Sequence, residues 1–269
     1  MSNVLKAAAI QMNCILGNKE ENLAKAKKLV EEAIHQGARL IVLPELFNTG
    51  YRVEENDLDL AESIPGFTTH WMSEISARSG IYLVGCFLEK GQTDGLIYDT
   101  AVAVGPNGLI GSYRKIHLWD TENTRFTKGE EFPVFDLGFA RLGMQICYEV
   151  GFPEGARILT LSGADIVVYP SAFGKARLYA WDVATRSRAL ENGIYVLACN
   201  RTGTEKGETT FGGTSRIVNP QGMVLAEASQ EDEVVISEID LDMVARQRRS
   251  IPYLRDLNKS VVLKGLASK

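Results

Sequence analysis

The chain has 269 residues, with 29 Lys and Arg against 34 Asp and Glu, a formal charge of −5. That balance lacks the basic stripe of a nucleic-acid protein, so no such partner is expected. Its three histidines, His35, His70 and His117, leave little for a His-rich metal site, and its four cysteines lie 72, 61 and 52 residues apart. No C-x-x-C spacing exists for a zinc knuckle or a dithiol redox pair. Four cysteines in so long a chain do not make a disulfide scaffold, and a cytoplasmic location is expected.

The Ala-rich start is interrupted by Gln11 and Asn13, which argues against a secretory signal. No stretch approaches the roughly 18 apolar residues of a membrane span, so no membrane partner is expected. In chain order, residues 6–12 read as a strand and 18–36 as a helix. The helix turns Leu23, Ala26, Val30, Ala33 and Ile34 to one side, with Asn18 as N-cap and Gly37 at its end. A strand over 39–43 and a helix over 67–78, with Trp71, Met72 and Ile75 inward, come next. Residues 81–88, 97–104 and 109–114 read as strands, the last two joined by the tight turn 105–108. A strand over 141–146 precedes a helix opened by Pro153 and running to about residue 162. Then follow a strand over 165–169, a helix over 175–192, strands over 194–199 and 213–218, and a helix over 241–249. No linker divides this series, so one domain over 1–269 is expected, an α/β sandwich with mixed sheets.

No G-x-G-x-x-G, P-loop or G-x-S-x-G pattern occurs, which removes dinucleotide, phosphate-loop and serine-elbow readings. What stands out is the residue after each apolar run: Glu45, Lys115, Cys147, Ser171 and Asn200. In open α/β sheets, ligands gather at the carboxyl ends of strands, where side chains of flanking loops converge. Each residue also has an ordinary reading. Cys147 suits a small core side chain, Lys115 a solvated strand end, and Glu45 a helix or turn cap. Their chemistry is complementary, however. A free thiol, with a pKa of about 8.5, is mostly protonated at neutral pH. A nearby ammonium and a carboxylate base are two ways to activate it without a histidine.

Three segments carry a resemblance to the carbon–nitrogen hydrolase (nitrilase) superfamily. Leu43-Pro-Glu-Leu-Phe47 resembles its glutamate motif, Tyr113-Arg-Lys-Ile-His-Leu118 its lysine motif, and Gly143-Met-Gln-Ile-Cys-Tyr-Glu149 its cysteine motif. Phe152-Pro-Glu154, Tyr169-Pro-Ser-Ala-Phe173, Asn200-Arg-Thr-Gly203 and the 213–222 segment extend the likeness in the same order. The resemblance implies an αββα sandwich that stacks into four layers as a homodimer or higher homo-oligomer. It implies catalysis by Glu45, Lys115 and Cys147, with Glu122 as a second acid and Asp120 and Glu130 as its rivals. Tyr148, Ser171, Phe173 and Asn200 are the expected substrate-binding residues, and Tyr179 and Trp181 further pocket candidates. His117 and the other cysteines are expected to be structural.

The expected reaction is hydrolysis of a small carboxamide through a cysteine thioester, without cofactor or metal. A nitrilase or an N-carbamoyl amidohydrolase would use the same three residues, and a silent scaffold or thiol sensor is the reading from another class. Glu149 departs from the Asp common at its position, and no Arg follows near Val150-Gly151. That absence counts against an amide bearing a second acid group, because a buried carboxylate needs a paired cation.

Overall fold

Strands apolar on both faces must lie between other layers, and the chain builds two such sheets. The computed structural model describes residues 3–267. The strands are β1 (Val4–Gln11), β2 (Ala38–Val42), β3 (Tyr82–Lys90), β4 (Ile97–Gly105), β5 (Gly108–Arg114), β6 (Val134–Asp136) and β7 (Arg141–Met144). They continue with β8 (Ile166–Pro170), β9 (Tyr195–Cys199), β10 (Thr204–Glu205), β11 (Thr209–Thr210), β12 (Arg216–Val218), β13 (Val224–Glu227) and β14 (Glu233–Asp240). One sheet has the order β14-β1-β2-β3-β4-β5 and the other β13-β12-β9-β8-β7-β6, while β10 and β11 pair separately.

Side-chain alternation sorts the layers. Leu5, Ala7 and Ala9 of β1, with Leu40 and Val42 of β2, face Leu142, Met144, Ile166, Val168 and Leu197 of the other sheet. The intervening Ala8, Ile10 and Ile41 face outward onto Leu23, Ala26, Val30, Met72 and Ile75 of helices Lys19–His35 and Phe67–Ser79. On the far side Val167, Tyr169 and Val196 pack against Leu159, Trp181 and Ala189 of helices Pro153–Leu161 and Leu178–Asn192. This is an αββα sandwich. At one edge the sheets come so close that a Cβ on Gly111 of β5 would sit 2.2 Å from the Phe135 ring of β6.

Asn18 caps the first helix as expected, accepting from the Glu21 N–H at 3.1 Å, and Gly37 leaves it at φ +87°. The strand expected over 213–218 is shorter, Arg216–Val218, because Gly213 and Thr214 both take positive φ and bend the chain first. The helix expected over 175–192 opens as a 3₁₀ turn, Lys175–Arg177, before Leu178–Asn192. β14 was not anticipated; it pairs antiparallel with all eight residues of β1. The outer helix Leu178–Asn192 leaves Tyr179, Val183 and Leu190 exposed, and helix Lys259–Ala267 buries no residue. Among the described residues, no helix is long and apolar enough to cross a membrane.

β1, β2 and β3 are parallel, β5 shares their direction through two antiparallel pairings, and β7, β8 and β9 are parallel to one another. The carboxyl ends of β2 and β5 therefore lie at one end of their sheet, and those of β7, β8 and β9 at one end of the other.

Candidate active site

Lys115 follows β5 directly, its N–H donating to the Asp99 carbonyl at 2.9 Å and prolonging the β4–β5 ladder by one residue. Its side chain is fully buried. The ammonium donates to Glu45 Oε1 at 2.6 Å and Glu122 Oε1 at 2.9 Å, and Asp99 Oδ2 lies 3.3 Å away. Burial alone would push this ammonium down, but the carboxylates of Glu122, Glu45 and Asp99 outweigh it and hold Lys115 well above the usual lysine range. Three acids are also the donor types of a cation site, but here the ammonium occupies the space they share.

Glu45 lies on a loop tied back to β3 by Leu43 N–H to Val84 O at 2.8 Å and Phe47 N–H to Cys86 O at 3.3 Å. Its second oxygen, Oε2, accepts from the Ala172 N–H at 2.7 Å, just beyond β8, so one carboxylate joins the ends of both sheets. Burial pushes Glu45 up to about 7, Lys115 pulling against that rise and Asp99 adding to it. A carboxylate in that range is suited to general-base work at neutral pH.

Cys147 begins the 3₁₀ turn Cys147–Gly151 at φ +49°, a conformation a residue with a Cβ adopts only when its surroundings impose it. Glu149 is the clamp. Its Oε2 accepts from Ile146 N–H at 2.8 Å, while Oε1 accepts from the Tyr113 hydroxyl at 2.7 Å and from Ile116 and His117 N–H at 3.1 Å each. The Glu that departs from the family's Asp is thus a fully buried anchor joining the cysteine and lysine segments. Burial pushes the Cys147 thiol well above its ordinary range, with Glu45 raising it further and Lys115 opposing. Of the two activation routes read from the sequence, the carboxylate base is the one this geometry favours. Lys115 already has three carboxylates on its charge, and its pull on the sulfur does not offset the effect of burial.

Glu122 joins the cluster through a short helical turn, Glu122–Arg125; its rivals Asp120 and Glu130 are exposed. Tyr148 and Phe173 line a cavity of ≈ 180 Å³ that reaches Cys147. Ser171 and Asn200 do not line it. The Ser171 hydroxyl is buried and donates to Tyr169 O at 3.0 Å. The Asn200 amide accepts from Phe173 N–H at 2.7 Å and donates to Gly213 O at 2.8 Å, so it fixes the backbone that carries Phe173. Both stand at strand ends, but with their polar atoms turned to the main chain. Tyr179 is 75% exposed, and Trp181 is buried with its indole N–H on Thr214 O, so neither reaches the cavity. His117 stacks on Phe152 with ring centroids 4.0 Å apart, and Cys14, Cys86 and Cys199 are buried.

Three site residues escaped the sequence reading. Tyr51 donates to Glu122 Oε1 at 2.7 Å and lines the cavity. Asp99 was visible as the one acid within the apolar run of β4, a position where an ionised side chain needs a partner. Arg177 lies on the cavity wall with its guanidinium 4.6 Å from the Trp119 ring, and no carboxylate pairs with it among the described residues. No local pattern announced it.

Fold, buried Glu–Lys–Cys set and strained cysteine turn together fit a hydrolase of carbon–nitrogen bonds. The carbon-nitrogen hydrolase profile matches residues 6–249, and the chain belongs to that family. It is 43% identical over 261 residues to a nitrilase of Pyrococcus abyssi, covering 95% of this chain and 95% of that one. It is 36% identical over 261 residues to human omega-amidase NIT2, covering 93% and 94%. The solved carbon-nitrogen hydrolase of Helicobacter pylori G27 superposes with a TM-score of 0.92 at 30% identity, over 100% of this chain and 99% of that chain.

Replacing Glu149 by Ala strands the buried Ile146 N–H and Tyr113 hydroxyl and the half-buried N–H groups of Ile116 and His117. The expected loss of stability in urea unfolding is on the order of 3 kcal/mol or more. A loss below about 1 kcal/mol would show that the turn is held by something else.

Proposed function

We propose that the chain hydrolyses a small carboxamide to its carboxylic acid and ammonia through a thioester on Cys147. The observation that carries this reading is a buried thiol opening on a small cavity, with the buried Glu45 carboxylate and Lys115 ammonium paired behind it and both acting on its charge. Glu45 takes the thiol proton as Cys147 Sγ attacks the carbonyl carbon. The Lys115 ammonium and the Tyr148 N–H receive the oxyanion; the first turn of a helix leaves such N–H groups without an intrahelical acceptor. Collapse returns the proton from Glu45 to nitrogen and expels ammonia. Water, deprotonated by Glu45, then attacks the thioester and releases the acid.

A cavity of ≈ 180 Å³ lies below the usual span of ligand pockets and supports a substrate of few atoms. Arg177 supports an acid group on it. The missing cation after Cys147 had counted against such an amide, but Arg177 supplies one from another element. The relatives named omega-amidase support an amide substrate. The relative named nitrilase supports nitrile cleavage as the second reading.

The test is ammonia release from small amides with and without a terminal carboxylate, from nitriles and from N-carbamoyl compounds, with mass spectrometry of Cys147. Amide turnover and an acyl adduct are expected, and Cys147→Ala should lose both; steady turnover by that variant would sink the assignment. Arg177→Met should raise KM for acid-bearing amides by about 10- to 100-fold, the range of a charge-assisted hydrogen bond, while kcat and neutral amides change little. An equal effect on both substrate types would remove Arg177 from recognition.

The same reading assigns the exposed Tyr179, Val183 and Leu190 to contact with a second copy. Sedimentation should give a dimer or larger assembly, reduced by Val183→Glu; a monomeric wild-type chain would end that assignment.

A further inference from the structure

Glu45, Asp99 and Glu122 are fully buried and hold carboxylate oxygens within 4.8 Å of one another around the single Lys115 ammonium. If all three ionise, the cluster has more negative charge than its one cation can match, with no solvent to spread it. Their hydrogen bonds are unequal. Glu45 accepts from Lys115 and the Ala172 N–H, one donor on each oxygen. Glu122 accepts from Tyr51 and Lys115 on Oε1 and from Trp119 N–H on Oε2. Asp99 Oδ1 receives the Cys86 thiol at 3.1 Å, while its Oδ2 lies 3.3 Å from the ammonium without a hydrogen bond from it, and its carboxyl is close enough to that of Glu45 for the two to share a proton. The charge of Asp99 is the least satisfied of the three, and it adjoins the proposed base.

We propose that Asp99 is a positioning residue that tunes the base: its carboxylate competes with Glu45 for the Lys115 ammonium, so the two acids hold one proton between them longer than either would alone. This rests on the reading of Glu45 as general base. The groups facing the pair are Cys86 from β3, Lys115 after β5, Glu122 from its helical turn, and Cys147 from the nucleophile turn; Tyr51 and Arg201 act from their loops. Burial raises both carboxyls, and Asp99 adds to the rise of Glu45 to about 7. Two like-charged carboxyls in one dry site titrate as a pair, the second proton leaving late.

The sign follows directly. An ionised Asp99 makes Glu45 hold its proton to higher pH, so a neutral residue of the same shape lets Glu45 ionise earlier. The experiment is kcat/KM against pH for wild type and Asp99→Asn on the amide that turns over best. The wild-type profile should rise through about pH 7, and the D99N limb should move down by about one unit. Relative to wild type, the variant then gains about tenfold at pH 5.5 compared with pH 8. A D99N profile lowered evenly with its limb in place would overturn the proposal, since that is what a merely structural role predicts.

Infrared spectra of the wild-type chain, which need neither turnover nor a folded variant, supply the second measurement. At pH 6, where exposed carboxyls are ionised, a protonated-carboxyl band should be present and should fade through pH 7; its absence overturns the proposal. A wild type inactive on every compound tested, but with this band, would count against the amidase reading and leave the coupled pair standing.

Discussion

Among the described residues, the ammonium of Lys115 is the only cation within hydrogen-bonding reach of three buried carboxylates, and the arrangement of both sheets meets at that point. Removing one partner from a buried ion cluster typically costs about 3–5 kcal/mol, so such a group dictates where its neighbours lie. Glu45 reaches it from β2 and then spans to Ala172 beyond β8. Asp99 reaches it from β4, and Glu122 reaches it from a helical turn that Tyr51 fastens to the loop after β2. The two sheets are packed by apolar contact along their length, and at this end they are joined by charge.

That constraint also decides how the sulfur is used. A lysine with a free charge beside Cys147 would favour a standing thiolate, whereas here the charge is already shared out. Burial therefore prevails over the cation at the sulfur, and the proposed mechanism accordingly gives the activation to the Glu45 carboxylate, which burial raises to about 7. In that proposal the nucleophile is made only when the base removes its proton, with the cation left to meet negative charge on the substrate. Backbone strain at Cys147, imposed through Glu149, keeps the sulfur at the cavity while this happens.

The nine strands expected from apolar runs all appear, because most runs of that kind are buried on both faces and leave few alternatives, the edge strand β5 being the half-exposed one. β14 escaped notice because an edge strand with Ser237 and Glu238 in it shows a weaker apolar pattern. Strand ends pointed to Glu45, Lys115 and Cys147, yet the same signal included Ser171 and Asn200, whose polar atoms turn to the main chain. A position at a strand end says nothing of which way a side chain faces. Asp99 needed the register of β4 against β5, which pairs Thr100 with Arg114 and so sets Asp99 beside Lys115. Arg177 sits in a 3₁₀ turn with no periodicity to read, and only the folded chain brings it to the cavity.

Glu149 binds the backbone of residues 116 and 117 as well as that of Ile146. The cysteine turn and the segment after Lys115 arrive from different sheets, and Glu149, with the His117–Phe152 and Trp119–Tyr148 ring contacts, fastens them to each other. Attempts to broaden the substrate range by exchanging residues on one of these segments therefore act on the other as well. A graft between related enzymes has to move residues 113–119 and 146–152 together, with their shared acid, to keep sulfur and cation in step.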